Sequence, residues 1–310
     1  SDDHAISAAT NTKRIAFMGN SFIQGHYVDH DKKITELLKR LYPKSRDGQA
    51  VEIMNFGVVG ASIVEQLFYY EHYVKKYHPD TVILQIYIGY DIASNVAHLG
   101  DKAKLLETKT SSIPPESILR PVLLAPSSPS LRRRLAEEME ILRYSIRLVR
   151  RNDALYAAAV KLGLLQKPFT ERAADYYSDV WGYLNPESGD HRAVTEFAAD
   201  LIDRLRQNVH ADGGSFALMI IPSYWQVDNK FVRDLKTKGI PIEPTLPNAI
   251  VSARLQSLIL DLSERLAKDI NENKIQVFIN DTGHFTEYGN ALAAEEIAHF
   301  LEVNAHELGL

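Results

Sequence analysis

Five short apolar runs, separated by segments of helical periodicity, constrain the fold of this 310-residue chain most strongly. The runs are Arg14–Gly19, Val51–Phe56, Thr81–Ile88, Ser215–Pro222 and Lys274–Ile279. Apolar runs of this length that alternate with helices are typical of parallel strands buried on both faces of a sheet. The pattern therefore predicts a layered α/β fold, in which functional side chains gather at the carboxyl ends of the strands.

The helical segments between these runs are identified by apolar residues spaced three or four positions apart. Four such stripes are Ile34/Leu37/Leu38/Leu41, Ile63/Leu67/Tyr70/Val74, Val194/Phe197/Leu201/Leu205 and Leu258/Leu262/Leu266. A fifth helix is predicted to begin near Thr286, with Leu292, Ile297 and Leu301 on its apolar face.

One stretch is much longer than a crossover between strands requires. We predict that Ile92 to about Asp190 forms a mainly helical insertion, within a single domain that spans residues 1–310. The insertion contains five prolines between Pro114 and Pro129, followed by a helical stripe from Leu131 to Val149. Such a segment could act as a lid or wall over the carboxyl edge of the sheet.

Composition excludes several classes of function. The chain has 35 Lys+Arg against 40 Asp+Glu, a net charge of −5, whereas a nucleic-acid-binding surface needs a basic excess. No apolar run reaches the length of a membrane span. The absence of cysteine excludes disulfides, thiolate nucleophiles and cysteine-ligated metals. The polar start without Met suggests an exported protein (periplasmic, secreted, or anchored by a removed N-terminal segment), with a cytoplasmic protein as the alternative.

Three of the predicted strand ends carry residues suited to nucleophilic catalysis. Ser21 follows the first run in a Gly-Asn-Ser turn, where a strand-to-helix connection presents the serine hydroxyl above the sheet. Asn55 to Gly60 follows the second run. Asp281 and His284 follow the last, and a carboxylate three residues from an imidazole can orient it as a general base. The sequence therefore predicts an active-site serine, with its base near the C-terminus.

These segments, together with Gly89-Tyr90-Asp91 after the third run, resemble in order and spacing the four blocks of the SGNH (GDSL-type) hydrolase superfamily. The resemblance implies a three-layer α/β/α sandwich of flavodoxin-like topology with a five-stranded parallel sheet. It implies that Ser21 is the nucleophile and that its N–H and that of Gly60 form the oxyanion hole. It further implies that His284 is the base, that Asp281 orients it, and that no metal or cofactor is used.

Two positions depart from the family pattern. Asn20 stands where the family usually has aspartate, at a position without a chemical role. Tyr90 stands where the family has the asparagine that supplies the third oxyanion donor. Tyr90 could donate through its hydroxyl from a shifted position, be replaced by another donor such as Asn95, or leave the hole incomplete.

Each of these features also has a purely structural interpretation. Asp281 could cap a helix, and His284 could lie on the surface. Tyr90 could be a packed or substrate-facing ring. A loop of His26, Asp29, His30 and Asp31 could bind a metal, although a solvated loop is the favoured interpretation.

Two further groups of side chains have open roles. The arginines of the Arg132–Arg151 segment form a solvated helix face by default, or bind an anionic polymer, membrane surface or partner. Five aromatic residues could stack on sugars or belong to the core: Tyr176, Tyr177, Trp181, Tyr183 and Trp225.

The predicted function is that of a serine esterase or deacylase, acting on an acylated carbohydrate or another small ester through an acyl-enzyme. One alternative is an O-acyltransferase that passes the acyl group to a polysaccharide hydroxyl. The other is a non-catalytic protein that binds a carbohydrate or a partner on a degenerate scaffold of the same fold.

Overall fold

A five-stranded, all-parallel sheet forms the centre of the protein. In this computed structural model, the described residues are 4–107, 149, 152–165, 185–237, 239, 241–279 and 282–310. The strands are β1 (Thr12–Gly19), β2 (Ala50–Gly57), β3 (Thr81–Tyr87), β4 (Ser215–Ile221) and β5 (Leu258–Asp261). Their order across the sheet is β2-β1-β3-β4-β5, and each neighbouring pair is parallel. The first four apolar runs of the sequence coincide with β1 to β4.

Helices connect the strands. Before β4 they are α1 (Ser21–Gln24), α2 (Ile34–Leu41), α3 (Ile63–His72), α4 (Lys102–Glu107), α5 (Asp153–Lys161) and α6 (Gly189–Ala211). After β4 they are α7 (Tyr224–Val227), α8 (Asn229–Thr237), α9 (Leu246–Arg254), α10 (Ser263–Asn271), α11 (Glu287–Val303) and α12 (Ala305–Leu308). Short 3-10 helices occupy His30–Lys32, Val74–Tyr77 and Ala93–Asp101.

Two apolar cores, one on each face of the sheet, make the fold a three-layer sandwich. Alternate residues of the strands point to opposite faces, so Met18 and Leu84 pack against α3, α6 and α9. Phe17 and Ile83 pack on the other face against α2, α10 and α11. All seven residues of β3 are buried, as a central strand covered on both faces requires. The predicted three-layer α/β/α sandwich with a five-stranded parallel sheet is confirmed.

The prediction of the fifth strand was wrong. Lys274–Ile279 is irregular apart from one antiparallel bridge between Phe278 and Phe285, and the strand is Leu258–Asp261 instead. Leu258, Leu262 and Leu266 are spaced like a helical stripe, but only Leu266 is helical, because α10 begins at Ser263. A four-residue edge strand followed directly by a helix leaves too short a pattern for periodicity to separate the two.

The predicted insertion is described only in part. Its first part contains the 3-10 helix Ala93–Asp101 and α4, and α5 lies farther along. Residues 108–148 lie outside the described residues, as do 150–151 and 166–184. The Arg132–Arg151 segment therefore has no described structure except at Val149, and the insertion's extent and its role as a lid stay predictions. Among the described residues, no helix has both the length and the apolar character needed to cross a bilayer.

The topology determines where a site can form. After β2 the chain crosses over β1 to enter β3. The connection that leaves β1 therefore runs toward β2, whereas the connection that leaves β3 runs in the opposite direction, toward β4. In open parallel sheets of this order, the carboxyl ends of those two strands flank the crevice where ligands bind. Ser21 follows β1 and Tyr90 follows β3, so both lie beside this crevice.

Candidate active site

The turn between β1 and α1 holds Ser21. β1 ends at Gly19 and α1 begins at Ser21, with Asn20 between them as the N-cap. The Asn20 Oδ1 atom accepts a hydrogen bond from Phe22 N at 3.0 Å. As the first residue of the helix, Ser21 has a backbone N–H without a partner inside the helix. The turn therefore places a hydroxyl and an N–H together at the carboxyl edge of the sheet.

His284 lies against this serine, although 263 positions separate the two residues in the sequence. The Ser21 Oγ atom is 2.7 Å from His284 Nε2, and His284 Nδ1 is 3.1 Å from the backbone oxygen of Thr282. A carbonyl oxygen only accepts hydrogen bonds, so Nδ1 carries the proton and Nε2 is free to accept one from Ser21. This is the tautomer that a general base for serine requires.

A tight loop positions the imidazole. The Ile279 N–H donates to the His284 carbonyl at 2.7 Å, and Gly283 N donates to the Ile279 carbonyl at 2.9 Å. The bridge between Phe278 and Phe285 closes the base of the loop. Asp281 lies outside the described residues, so its predicted contact with His284 stays a prediction. In the described part of the chain, the Thr282 carbonyl is the oxygen seen to accept from Nδ1.

Two aromatic rings contact the imidazole. Phe22 is stacked on His284 with ring centroids 5.1 Å apart and an interplanar angle of 23°. The Tyr27 ring is tilted by 44°, with its centroid 4.4 Å from that of His284. These contacts limit rotation of the imidazole, and the π faces favour the imidazolium that forms when the histidine takes a proton. The roles of Phe22, Tyr27 and the Thr282 carbonyl could not be predicted from the sequence, because neither ring packing nor a backbone acceptor has a sequence motif.

Gly60 lies on the second loop of the site. The Val58 N–H donates to the Gly19 carbonyl at 2.9 Å, which joins this loop to the turn before Ser21. Gly60 has a φ of +64°, a left-handed conformation that favours glycine. The Asn55 amide donates to the Ile23 carbonyl at 2.7 Å and to Thr35 Oγ1 at 2.9 Å, so it ties β2 to α1 and α2. Ser21, Gly60 and His284 consequently line one pocket.

Tyr90 lines the same pocket. Its side chain is 44% exposed, and the described residues offer its hydroxyl no hydrogen-bond partner. The alternative donor Asn95 is ruled out by its position: it is fully buried, its Oδ1 accepts from Val64 N, and its amide donates to the Asp91 and Ile92 carbonyls. Asn95 therefore links α3 to the loop after β3. Whether Tyr90 acts as an oxyanion donor stays a prediction.

If the Tyr90 hydroxyl is an oxyanion donor, as predicted, Tyr90→Phe should lower turnover of an acetyl ester by up to about 100-fold. Tyr90→Asn should not restore the rate, since the shorter asparagine side chain would not carry its amide to the position of the tyrosine hydroxyl. Steady-state kinetics of the wild type and both variants test this directly. Equal rates for all three proteins would remove Tyr90 from the chemistry.

The pocket itself is small and largely aromatic. Its volume is about 260 Å³, and Trp225 contributes to its wall although only 1% of that residue is exposed. The remaining aromatic lining comes from Phe22, His26, Tyr27, Tyr87, Tyr90 and His284. Tyr176, Tyr177, Trp181 and Tyr183 lie outside the described residues, so their predicted role in sugar stacking is untested.

The segment from His26 to Asp31, considered above as a possible metal-binding loop, does not form a cluster of metal ligands. His30–Lys32 is a 3-10 helix, and the His26 ring packs edge-on against Tyr27 with centroids 4.8 Å apart. Across the described ranges, no three side chains of His, Asp or Glu come together in a way that could hold a metal ion.

A buried carboxylate lies below the Ser21 turn. Burial raises the pKa of Asp91 from 3.8 to about 7, although Asn20 and the Tyr87 N–H both donate to the carboxylate. Because the pKa is higher in the folded chain than in the unfolded chain, the folded chain binds more protons between about pH 4 and pH 7. Ionisation of Asp91 therefore costs stability as the pH rises through that interval.

Asp91→Asn removes this titration. We expect the difference in urea midpoint, wild type minus Asp91→Asn, to decrease as the pH rises from about 4 to about 7. At higher pH this difference should stay constant. Equilibrium unfolding of the two proteins across this range measures the difference. If the difference between the two urea midpoints does not change with pH, the pKa of Asp91 is the same in the folded and the unfolded chain.

Comparisons with known proteins find likeness only among solved structures: no family model matches the chain, and no curated protein does. A protein of the G-D-S-L lipolytic family from Desulfitobacterium hafniense DCB-2 aligns at 9% identity over 93% of this chain and 99% of its own, with a TM-score of 0.45. An acetylxylan esterase from Geobacillus stearothermophilus aligns at 12% identity over 93% and 94%, with a TM-score of 0.45.

A two-domain esterase active on acetylated mannans aligns at 12% identity, with a TM-score of 0.46. The alignment covers 94% of this chain and 49% of that protein, so this chain spans about half of its length. These are distant likenesses. The function proposed below rests on the geometry of Ser21 and His284.

Proposed function

We propose that this chain is a serine esterase that cleaves acyl esters through Ser21. The observation that carries the proposal is the 2.7 Å contact between Ser21 Oγ and His284 Nε2, with Nδ1 donating to the Thr282 carbonyl. A hydroxyl paired with a neutral imidazole of this tautomer is the arrangement that activates a serine nucleophile. A surface histidine has no need of such a partner, so the pairing favours catalysis over a purely structural role.

In the proposed reaction, Ser21 Oγ attacks the ester carbonyl carbon as its proton passes to His284 Nε2. The negative charge on the former carbonyl oxygen is stabilised by the N–H groups of Ser21 and Gly60, and by the Tyr90 hydroxyl where it reaches. His284 then returns its proton to the departing alcohol, which leaves an acyl group on Ser21. Water, deprotonated by the same imidazole, releases the acid and restores the serine. Asp281 is proposed to stabilise the imidazolium.

The proposed substrate is a small acyl ester, such as an O-acetyl group on a carbohydrate. A pocket of about 260 Å³ holds a short acyl group and part of the attached alcohol. Aromatic walls suit the apolar face of a sugar ring. The choice of an acylated carbohydrate is otherwise an analogy with the SGNH family.

Turnover of a chromogenic acetyl ester, with and without oligosaccharide acceptors, tests the proposal. An esterase should release acetate in water alone, and an added oligosaccharide should act at most as a competitor. An acyltransferase should release the chromophore faster with the acceptor and form acetylated oligosaccharide. A non-catalytic binding protein should do neither, and that result would overturn the proposed function.

A further inference from the structure

We propose that Asp91 is a positioning residue. It fixes the position of the Ser21 turn relative to the loop after β3 that carries Tyr90, called the Tyr90 loop below. The inference rests on the proposed function, in which Ser21 is the nucleophile. Asp91 itself does not line the pocket. Its action is therefore transmitted through Asn20 on one side and through the end of β3 on the other.

The contact with the Ser21 turn is a buried pair of side chains. Asn20 Nδ2 donates to Asp91 Oδ1 at 2.9 Å and to Oδ2 at 2.8 Å, and both residues are at least 97% buried. The other end of the Asn20 amide accepts from Phe22 N at 3.0 Å. Asn20 is thus held at both ends of its amide group, directly before the nucleophile.

The contact with the Tyr90 loop uses the same carboxylate. Asp91 Oδ2 accepts from Tyr87 N at 2.7 Å, while the Asp91 and Tyr90 N–H groups both donate to the Tyr87 carbonyl, at 2.9 and 3.1 Å. Asn95 donates to the Asp91 carbonyl and fixes the loop from the far side. One carboxylate therefore joins the residue before Ser21 to the turn that presents Tyr90.

The hydrogen-bond donors and acceptors of Asn20 and Asp91 predict how a substitution at Asp91 disrupts their contact. In Asp91→Asn, an oxygen in the place of Oδ2 can still accept from Tyr87 N, but the new NH₂ group then occupies the place of Oδ1. That place is 2.9 Å from Asn20 Nδ2, so two donors would face each other. The reverse orientation sets the NH₂ group against the Tyr87 N–H instead. In that orientation the NH₂ group also lies 2.8 Å from Asn20 Nδ2. Asn20 Nδ2 therefore faces an NH₂ group in both orientations, and we expect Asn20 to move and the Ser21 turn to move with it.

Exchanging the two residues should repair the contact. In Asn20→Asp/Asp91→Asn, the new aspartate keeps one oxygen for Phe22 N and turns the other toward the new amide N–H. The asparagine at 91 then keeps its oxygen for Tyr87 N. The Phe22 and Tyr87 N–H groups then keep their acceptors, and one N–H of the new amide donates to the new aspartate, after a small rotation that relieves the contact between the two oxygens.

Asp80→Asn is the matched control. Asp80 also accepts from a backbone N–H and a side-chain nitrogen, namely Arg14 N at 2.8 Å and Lys13 Nζ at 3.2 Å. It directly precedes β3, at the amino edge of the sheet and away from the pocket. The control makes the same chemical change at a partly exposed carboxylate, which also accepts one backbone and one side-chain hydrogen bond, without touching the Ser21 turn.

The experiment is run at about pH 8, where the carboxyl group of Asp91 is ionised. It measures the rate at which a serine-directed phosphonate labels Ser21, and kcat and KM for an acetyl ester, in the folded fraction of each protein. A misplacement of the nucleophile by about 1 Å costs about 100-fold, so we expect a ten- to 100-fold loss of labelling rate and kcat in Asp91→Asn. KM should change little, Asp80→Asn should label like the wild type, and the exchanged variant should recover most of the rate.

Three results would overturn the inference: wild-type labelling in Asp91→Asn, an equal loss in Asp80→Asn, or a folded exchanged variant as slow as Asp91→Asn. If the exchanged variant fails to fold, the comparison of Asp91→Asn with Asp80→Asn decides. A wild type that neither labels nor turns over ester contradicts the proposed function instead. Crystal structures of the wild type and Asp91→Asn then decide the positioning alone: a longer Oγ–Nε2 distance than 2.7 Å in the variant supports it, and an unchanged distance overturns it.

Discussion

Ser21→Ala is expected to abolish acetyl-ester turnover, with a loss on the order of 10⁵- to 10⁶-fold in kcat. The substitution removes the atom that bonds to the acyl carbon, and the imidazole and oxyanion donors cannot replace it. The Ser21 side chain makes one described hydrogen bond, to His284, so folding should be nearly unaffected. Steady-state kinetics, together with thermal unfolding of both proteins, check the two halves of the prediction.

Ser257→Ala is a suitable control for this variant. Ser257 is a partly buried serine whose hydroxyl donates to the Phe216 carbonyl at 3.1 Å, near the start of β4 and β5. It should retain full turnover, because its hydroxyl lies at the edge of the sheet opposite the pocket. Substantial activity in Ser21→Ala would show that another group is the nucleophile.

Asp281→Asn is expected to lower kcat by orders of magnitude, up to about 10⁴-fold, with little change in substrate binding. With Asp281 beside His284, as predicted, two effects contribute: the imidazolium loses a negative charge, and the new amide can offer Nδ1 a donor, which favours the wrong tautomer. The Thr282 carbonyl opposes the second effect, because it accepts from Nδ1–H whatever side chain stands at 281.

Comparison with Asp281→Ala separates these contributions. Alanine removes the charge without offering a competing donor, so the Thr282 carbonyl should keep the correct tautomer. We therefore expect kcat to decrease in the order wild type, Asp281→Ala, Asp281→Asn. Full activity in both variants would show that Asp281 has no part in the reaction, and that the backbone carbonyl alone orients His284.

The sequence predicts the central part of the fold well because buried parallel strands leave a strong signal. β1, β3 and β4 are covered on both faces, so their apolar runs are nearly continuous and mark the strands to within two residues. The edge strand β5 is partly exposed and only four residues long, and it was predicted as a helix. Val277 and Phe278 are buried in the core like strand residues, although their segment is irregular and leads into the loop of His284.

The candidate site also contains some residues that a sequence motif identifies and others that only the coordinates identify. Ser21, Gly60 and His284 could be chosen from the sequence because each lies in a recognisable motif, and the structure brings all three to one pocket. Tyr27 and the Thr282 carbonyl could not be chosen, since their roles depend on a ring contact and a backbone direction. The tautomer of His284 follows only from the coordinates of that carbonyl.

Mass spectrometry of the protein, quenched in acid during acetyl-ester turnover, tests the central claim most directly. An ester bond to serine survives acid, so a trapped intermediate adds the mass of one acetyl group to the peptide that contains Ser21. We predict that this acetylated peptide appears in the wild type and is absent from Ser21→Ala. Ester turnover without any acetylated Ser21 peptide, or with the acetyl group on another residue, would contradict the account.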